Sequence, residues 1–453
     1  MPGGAAASLT TSPGGRPKPH ALDLHPYGPY FVPMRNHQIR AAMVGAGMIF
    51  DETYRPFFEQ PDSSRFAAGE CVVDVRLAAV ASRSGARAAA YALASTPRTS
   101  GFRSFSGPGC LDDLLASPID AVCVATPDDR HFPAALAALR AGKHVLIEKP
   151  SVLTLGERQV LLDAAARAGV LVKVVYHKLA DPDHKKLRTH VADGTLRHVN
   201  SGYCSLLEPR SVSRDQFAEW VVGRNPATYV GVHYLKLIDF TFGPDWRLAR
   251  VSATGQRGIV GAPDGQTFDS VLTQVVYAYS DGREAAFDIH TGWVTPDNFP
   301  GYVDQEVQFR FDNAVWNAHQ RKRGVEVTVE GRTPHDLKET PNHHYNGTFL
   351  EPWGQRSQRG YGIEVIRRFF EEVAHVEVGG PDSDRQARLA AMTALEYNDL
   401  GADRNVIAAV QAVEAILREQ SAGWPGAVAF VDHPLGELVM LRPGDPNPTI
   451  LHP

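Results

Sequence analysis

The sequence is poor in cysteine and contains no extended apolar run. Its 453 residues include 4 cysteines, Cys71, Cys110, Cys123 and Cys204, and no two of them form a Cys-x-x-Cys pair. This spacing argues against a disulfide framework and a cysteine-rich zinc site, and it implies a reducing compartment. No apolar stretch approaches the roughly 18 residues that cross a bilayer. We therefore predict a cytoplasmic protein with no membrane partner and no metal.

The chain also lacks a strong excess of charge of either sign. The formal net charge is -5, the charged fraction is 21% and the apolar fraction is 43%, which are ordinary values for a globular protein. Basic residues are scattered, which argues against nucleic acid as a partner and favours a small, weakly charged molecule. A chain of this length is expected to form two domains.

The two ends differ from the rest of the chain. Residues 1–37 begin with a stretch rich in Gly, Pro, Ala and Ser that lacks the pattern of a secretory signal. They predict a flexible N-terminal tail. The alternative is an arm that packs on a neighbouring subunit, because Tyr27, Tyr30 and Phe31 offer apolar surface. Residues 424–453 are expected to form a C-terminal tail.

Residues 38–178 alternate short apolar strands with amphipathic helices. This alternation predicts βαβ units and a doubly wound parallel sheet with helices on both faces, the Rossmann fold of dinucleotide-binding domains. The predicted strands are 39–44, 75–81, 121–125, 144–147 and 170–176, and the predicted helices are 86–94, 133–141 and 156–168.

Residues 179–423 have a different pattern of polar and apolar residues, with long alternating segments separated by turn signals. They predict an α+β domain with a large, open and mainly antiparallel sheet. Within it, residues 330–359 are rich in Pro, His, Asn and Gly and predict a long irregular loop over an active site. The predicted strands are 271–279, 284–290 and 306–311, and the predicted helices are 227–242, 362–373 and 406–418.

A glycine-rich turn follows the first predicted strand. Gly45 and Gly47 allow the backbone to turn tightly beside a pyrophosphate, with Met48 and Ile49 next along the cofactor. The third glycine of the usual GxGxxG pattern is replaced by Phe50, so the following helix must lie further away or be reoriented. A plain strand-turn-helix connection is the alternative interpretation.

The end of the second long strand bears on the choice of cofactor. It has no carboxylate to bind a ribose 2′-hydroxyl, whereas Ser82 and Arg83 together suit a 2′-phosphate. We predict NADP, with NAD possible. Arg83 as a solvated residue at a helix start is the alternative.

The block Ala121 to Pro150, AVCVATPDDRHFPAALAALRAGKHVLIEKP, resembles the signature of the Gfo/Idh/MocA family of glucose-fructose oxidoreductase and inositol dehydrogenase. Carried over by position, the resemblance implies that Thr126, Pro127 and His131 lie along the cofactor. It also implies that Glu148 and Lys149 flank the nicotinamide, and that Pro150 follows a cis bond. A strand-end ammonium near an oxidised nicotinamide would have a lowered pKa and would donate a hydrogen bond to the reacting oxygen.

The same resemblance implies a second catalytic element, an Asp-x-x-x-His stretch on the first long helix of the second domain. Here Tyr229 stands in place of the aspartate and His233 is retained. A spacing of four places both on one helical face. Lys236 stands where an acidic residue often follows, which favours a carboxylate-bearing or otherwise hydrogen-bond-accepting substrate. A structural His233 and a solvated Lys236 are the alternatives.

Further candidates flank these motifs. His177 is expected near the nicotinamide, and Lys178 and Arg210 near the substrate, although an exposed segment would also explain Arg210. Together these features predict hydride transfer at a secondary hydroxyl of a sugar or polyol, with Lys149, His233 and Tyr229 as catalytic residues. Family relatives with a retained nicotinamide suggest a redox-neutral epimerase, lyase or glycosidase as an alternative, and the missing aspartate suggests a non-catalytic Rossmann sensor. The family also implies a homodimer or homotetramer through the open sheet.

Overall fold

The first sheet contains seven strands in the described part of the chain. The structure, a computed structural model, describes residues 34–216, 221–243, 246–260, 265–299, 303–321, 323–325, 327–329, 337–339 and 342–453. The strands run in the order β2-β3-β1-β5-β6-β7, with β4 paired to β3, and all pairs are parallel except β2 with β3. Their bounds are β1 Arg35–Val44, β2 Arg65–Ala68, β3 Cys71–Ser82, β4 Arg103–Ser106, β5 Ala121–Val124, β6 His144–Ile147 and β7 Val172–Val174.

Helices connect and cover these strands. Local sequence fixes several of their ends: the Thr154 side chain accepts a hydrogen bond from Glu157 N at 3.1 Å, and Asp181 accepts one from Asp183 N at 3.0 Å. The bounds are α1 Arg55–Glu59, α2 Pro61–Ser64, α3 Ala86–Ala94, α4 Cys110–Leu115, α5 His131–Arg140, α6 Leu155–Ala168, α7 His177–Ala180 and α8 Pro182–Ala192.

The second sheet contains nine strands among the described residues. Their order is β13-β12-β8-β11-β10-β9-β18-β19-β20, and every pair is antiparallel except β11 with β8. Two short hairpins, β14-β15 and β16-β17, lie outside it. The bounds are β8 Val199–Pro209, β9 Trp246–Gln256, β10 Ser270–Tyr279, β11 Glu284–Thr295, β12 Asp304–Phe311, β13 Val315–Ala318, β14 Val327–Val329, β15 Leu337–Glu339, β16 Gly347–Leu350, β17 Arg356–Arg359, β18 Val428–His433, β19 Gly436–Leu441 and β20 Thr449–His452.

The remaining α-helices pack on both sheets. None of the helices in the described ranges is long and apolar enough to cross a membrane. Their bounds are α9 Val232–Phe242, α10 His343–Asn346, α11 Tyr361–Val378, α12 Arg385–Thr393 and α13 Arg404–Ser421.

Two apolar cores lie on opposite faces of the first sheet because side chains alternate along each strand. Ala42 and Val44 of β1 join the core that continues to α9, α13 and the second sheet. Ala41 and Met43 face a core that includes α11, where Phe370 stacks on Phe57 at 5.2 Å between ring centroids. A helix of the predicted second domain therefore covers part of the Rossmann sheet, and Arg35–Pro453 forms one compact unit.

The structure corrects three predictions about organisation. Residues 424–453 are not a tail, because β18, β19 and β20 extend the second sheet. The irregular loop predicted at 330–359 contains β15, α10, β16 and β17 in its described part. Residues 1–33 of the predicted N-terminal tail or arm lie outside the described residues, whereas Arg35 to His37 begin β1. The domain boundary after residue 178 stays a prediction.

Candidate active site

The turn after β1 passes close to the end of β5. Gly45 has φ of 97°, and a Cβ atom there would lie 2.4 Å from the Ala125 carbonyl oxygen. Its amide also donates to the Ala81 carbonyl at 2.9 Å, which ties the turn to the end of β3. A Cβ on Gly47, by contrast, would meet no protein atom within 4 Å. The fold therefore requires the absence of a side chain at Gly45. At Gly47 the absence of a side chain leaves space beside the backbone for a ligand.

Phe50 stands at the position of the usual third glycine, and a wider helical turn accommodates its ring. The segment Phe50–Tyr54 is a π-helical turn that leads into α1. The Phe50 ring is buried against Tyr91 of α3, with an edge contact at 5.0 Å between centroids. The reorientation predicted from Phe50 is therefore present as a widened first turn, a form that is frequent at functional sites. Met48 and Ile49 line the cleft beside it.

Two hydroxyls at strand ends fit a dinucleotide. Ser82 at the end of β3 and Thr126 after β5 each bury their hydroxyl oxygen without a hydrogen-bond partner in the described part of the chain. Buried polar groups are rarely left unbonded, so these hydroxyls are suited to a polar ligand. Arg83 is exposed just beyond Ser82, and Pro127 precedes a 3₁₀ turn at Asp128–Arg130. The carboxyl edge of the first sheet therefore fits the cofactor that the sequence predicts.

His131 contacts the backbone of two strand-end loops. Its ring is buried, with Nδ1 2.7 Å from the Pro150 carbonyl oxygen and Nε2 2.7 Å from the Thr126 carbonyl oxygen. Burial lowers the pKa of the imidazole. Because both ring nitrogens already face backbone carbonyls, His131 joins two strand-end loops and its ring is not available to a cofactor. The prediction that His131 lies along the cofactor therefore does not include a hydrogen bond from its ring nitrogens.

Lys149 lies in the wall of the cleft, next to a cis peptide bond to Pro150. Its ammonium donates to the Tyr229 carbonyl at 2.9 Å and lies 3.9 Å from the centre of the Tyr229 ring. Loss of hydration lowers the pKa of Lys149, while the charges of Glu148, Glu208 and Asp128 act to raise it. Since an ammonium has three donors, one bond to Tyr229 leaves others for a substrate oxygen.

Glu148 precedes Lys149 and is buried. The Tyr54 hydroxyl of the π-helical turn donates to its carboxylate at 2.9 Å. Burial raises the pKa of Glu148 to about 7, although Lys149 acts to lower it. The first turn and the Glu148-Lys149-Pro150 motif are thus linked by a hydrogen bond, which fixes the carboxyl end of β6.

Two histidines face each other across the same cleft. The ring centroids of His177 and His233 are 6.3 Å apart, and Tyr345 makes an edge contact with His177 at 5.4 Å. Burial lowers the pKa of His177 to about 3 and holds the pKa of His233 well below its usual value, so both are uncharged near neutral pH. In the described ranges, neither nitrogen of His177 nor Nδ1 of His233 has a hydrogen-bond partner.

Tyr229 and His233 share this cleft, as their spacing predicts. Tyr229 lies in a π-helical turn, Ala227–Gly231, that continues directly into α9. Both residues line the cleft together with Lys149. The predicted helical pair is therefore brought to the predicted lysine, although the first of its two turns is wider than an α-helical one.

Lys178, next to His177 in the chain, also lines the cleft and is buried. Its ammonium donates to the Gln305 side-chain carbonyl, and burial lowers its pKa to about 8. Arg323 lines the same cleft but is held by Asp181 and by Asp183 at 3.1 Å. Lys178 is therefore the better placed of the two cations to contact a substrate.

Two other predicted substrate residues are not in the cleft. Lys236 is buried elsewhere, where its ammonium contacts Asp403 at 2.7 Å and the Glu396 carbonyl at 3.0 Å. It forms a buried ion pair between α9 and the start of α13, so neither the substrate role nor the solvated alternative is correct. Arg210 is exposed after β8, near Asp297, and is not part of the cleft wall. A helical or strand-end position alone does not show which way a side chain faces.

The structure also adds cleft residues that the sequence motifs do not indicate. Glu208, one residue before the end of β8, accepts a hydrogen bond from Trp293. Asn342, which precedes α10, and Tyr345 and Tyr361, of α10 and α11, also line the cleft. Glu52 comes from the π-helical turn. These residues lie far apart in the chain, and no local motif links them. The richness of residues 330–359 in His and Asn is the one sequence feature that indicated part of this wall.

The parallel pairing of the first sheet and the glycine turn after β1 define the class of Rossmann-fold proteins. Residues 39–176 match the model of the oxidoreductase family with an NAD-binding Rossmann fold. This match to the Gfo/Idh/MocA family model includes the block from Ala121 to Pro150, on which the resemblance in the sequence rests.

Curated relatives match part of the chain. A 1,5-anhydro-D-fructose reductase of Ensifer adhaerens is 38% identical over 87 residues, which are 19% of this chain and 26% of the relative. A D-glucoside 3-dehydrogenase of Escherichia coli is 27% identical over 217 residues, which are 46% of this chain and 56% of the relative. The matches thus span from about a quarter to little more than half of these relatives.

Solved structures confirm the fold over more of the chain. An inositol dehydrogenase homolog of Azotobacter vinelandii, solved with NADH and myo-inositol, superposes with a TM-score of 0.59 at 22% identity. The superposition covers 87% of this chain and 98% of that one. Both the Rossmann sheet and the large second sheet therefore follow the architecture predicted from the sequence.

Proposed function

We propose that this protein is an NAD(P)-dependent oxidoreductase that acts on a secondary hydroxyl of a sugar, a sugar derivative or a polyol. The observation that carries the proposal is the position of Lys149, whose ammonium lies in a cleft shared with the uncharged His177 and His233. The relatives named above act on carbohydrates by their names, and one structural neighbour holds a polyol, which supports the same substrate class.

The residues that would hold the cofactor lie along the carboxyl edge of the first sheet. Gly45 and Gly47 fit a pyrophosphate, Ser82 and Arg83 an adenosine ribose, and the remaining candidates are Met48, Ile49, Thr126, Pro127, Glu148 and His177. When bound, the nicotinamide supplies the acceptor or donor of hydride.

Each side chain of the cleft has its own role in the proposed reaction. Lys149 donates a hydrogen bond to the reacting oxygen and stabilises negative charge there. His233 is uncharged, so it is able to accept the hydroxyl proton in the oxidative direction. Tyr229 fixes the Lys149 ammonium through its carbonyl and its ring. Lys178, which lines the same cleft, is placed to orient the substrate.

A substrate panel tests the proposed function. Sugars, sugar acids, inositols and glycosides are each incubated with NAD and with NADP, and reduced nicotinamide is followed by absorbance while products are followed by mass. We expect at least one polyol or sugar to give equal amounts of ketone and reduced cofactor. Conversion without net cofactor reduction would favour a redox-neutral enzyme, and binding without any product would favour a sensor.

The cofactor preference gives a first prediction. Because Arg83 is exposed just beyond Ser82, with no carboxylate at this strand end, we propose that NADP is preferred and that Arg83 binds the 2′-phosphate. Arg83→Ala is expected to weaken NADP by about tenfold, the value of one charge-assisted contact, and to leave NAD unchanged. Titration of both cofactors by fluorescence measures this. Equal weakening of NAD and NADP would contradict the assignment.

Assembly gives a second prediction. We propose a homodimer or homotetramer that forms through the open face of the second sheet in the cytoplasm. The support is that β10 and β11 alternate buried residues with half-buried and exposed ones, including Leu272, which is 40% exposed. Light scattering on the full chain is expected to give at least twice the mass of 49.4 kDa. A monomer at micromolar concentration would rule out this proposal.

A further inference from the structure

Glu208 lies one residue before the end of β8 and belongs to the wall of the cleft. It is buried, and it shares the cleft with Lys149, Tyr229 and His233. No motif of the sequence assigns it a role. Its position is notable because α9 and its preceding turn, which carry a tyrosine at 229 in place of the family's aspartate, leave this side of the cleft without their own carboxylate.

One oxygen of the Glu208 carboxylate is fixed by the protein. The indole Nε1 of Trp293, a fully buried residue of β11, donates to Oε2 at 2.9 Å. In the described part of the chain no side chain donates to Oε1. The Trp293 ring also packs 6.2 Å from the Tyr229 ring, measured between centroids. Trp293 therefore holds the carboxylate beside Tyr229, and Oε1 accepts no side-chain hydrogen bond from the described residues.

Charged and titratable side chains from several elements surround Glu208 in the cleft. Lys149 lies close enough for each charge to favour the ionised form of the other. Glu52 of the π-helical turn opposes a negative charge on Glu208. His177, Lys178 and His233 line the same cleft, and Lys149 and Lys178 both disfavour a proton on His233. A proton taken from the substrate thus enters a region where two ammonium groups repel it.

We propose that Glu208 is a positioning residue for proton transfer in the cleft: from β8 it supplies a negative charge beside Lys149, and this charge stabilises the proton that His233 takes from the substrate hydroxyl. This inference rests on the proposed oxidoreductase function. Glu208 acts on Lys149 and on the charge balance of the cleft, and is therefore a positioning residue for the reaction.

The pH profile follows from the state of this carboxylate. Burial raises the pKa of Glu208 to about 7, against the opposing influence of Lys149 and Trp293. Below this pH Glu208 is protonated and its charge is lost. We therefore expect kcat/KM for oxidation to fall as the pH decreases through about 7. The fall of kcat/KM with decreasing pH is the acid limb of the pH profile. Because the Trp293 hydrogen bond favours the charged form of Glu208, its loss should move the acid limb to higher pH.

Glu208→Gln tests the proposal in the full-length protein. The amide keeps the shape of the side chain but carries no charge at any pH. We expect kcat to fall about 100-fold at pH 8, KM to change less than threefold and the acid limb to shrink to the part that Glu148, whose pKa is also about 7, contributes. Trp293→Phe keeps the carboxylate and should retain the limb at a higher pH. Glu284→Gln, at an exposed residue paired with Arg250 on the second sheet, is the matched control and should leave the profile unchanged.

The outcomes separate this inference from the proposed function. Glu208→Gln with turnover within threefold of the unaltered protein and an intact acid limb would overturn it. Should Glu208→Gln fail to fold, Trp293→Phe decides, because an acid limb that does not move would also overturn it. An unaltered protein that converts no member of the substrate panel would instead overturn the proposed function.

Discussion

Lys149→Ala is expected to abolish turnover while cofactor still binds. Removing the ammonium leaves no cation beside Tyr229 to stabilise charge on the reacting oxygen. Groups that move or hold protons and stabilise an oxyanion contribute factors of about 10² to 10⁴, so we expect kcat to fall about 10³-fold. The cofactor candidates on β1, β3 and β5 are untouched by this change. Stopped-flow kinetics and a fluorescence titration of the cofactor measure the two effects separately.

A lysine at the other end of the same strand provides the control for this result. Lys143 precedes β6, and its ammonium donates to the Ile119 carbonyl at 2.8 Å. Lys143→Ala should retain turnover, because it lies at the amino end of the strand, away from the cleft. Lys149→Arg keeps a positive charge but places it on a larger planar group, so it should recover little activity. Full activity in Lys149→Ala would refute the assigned role.

Gly45→Ala is expected to damage the fold itself. The new Cβ would lie 2.4 Å from the Ala125 carbonyl oxygen, at a φ of 97° that disfavours side chains. Because the clash is with backbone at the junction of β1 and β5, it is relieved only by moving a strand end. We expect a loss of about 4 kcal/mol in the free energy of unfolding, at the upper end of single substitutions. Denaturant titration followed by circular dichroism measures it.

Gly47→Ala is the companion experiment, two residues further along. Its Cβ would meet no protein atom within 4 Å, so the free energy of unfolding should change by less than about 1 kcal/mol. The added methyl group instead occupies the space beside the predicted pyrophosphate, and cofactor affinity should fall by at least about tenfold. Unchanged affinity in Gly47→Ala would show that the cofactor does not approach this turn.

The Rossmann half of the fold is predictable because its information is local. The predicted strand at residues 144–147 and the predicted helix at 86–94 coincide with β6 and α3. Each is a short apolar or alanine-rich segment bounded by turn residues, and its periodicity is visible within ten residues. The tight turn after β1 and the altered first helical turn likewise follow from the positions of Gly45 and Phe50.

The residues whose predicted role is wrong, and those whose contacts no motif indicates, depend on partners distant in sequence. Lys236 is paired with Asp403, 167 positions away, and helical spacing does not reveal that α9 presents it to that partner. His131 contacts the Pro150 carbonyl, 19 positions away. Glu208 depends on Trp293, 85 positions away. Residues 424–453 contain many Pro, Gly and Asp residues. These residues predict turns, and the strands between them are too short to show a clear pattern in the sequence.

The position of α11 has a consequence for synthesis of the chain. The strands of the first sheet are complete at Val174, yet α11, which covers part of one apolar face, begins only at Tyr361. At about 5–20 residues per second, the intervening roughly 190 residues take on the order of ten seconds or longer to emerge. During that interval the nascent Rossmann strands carry uncovered apolar surface that includes Met43 and Val73. The first sheet is thus synthesised well before the helix that covers part of its apolar face.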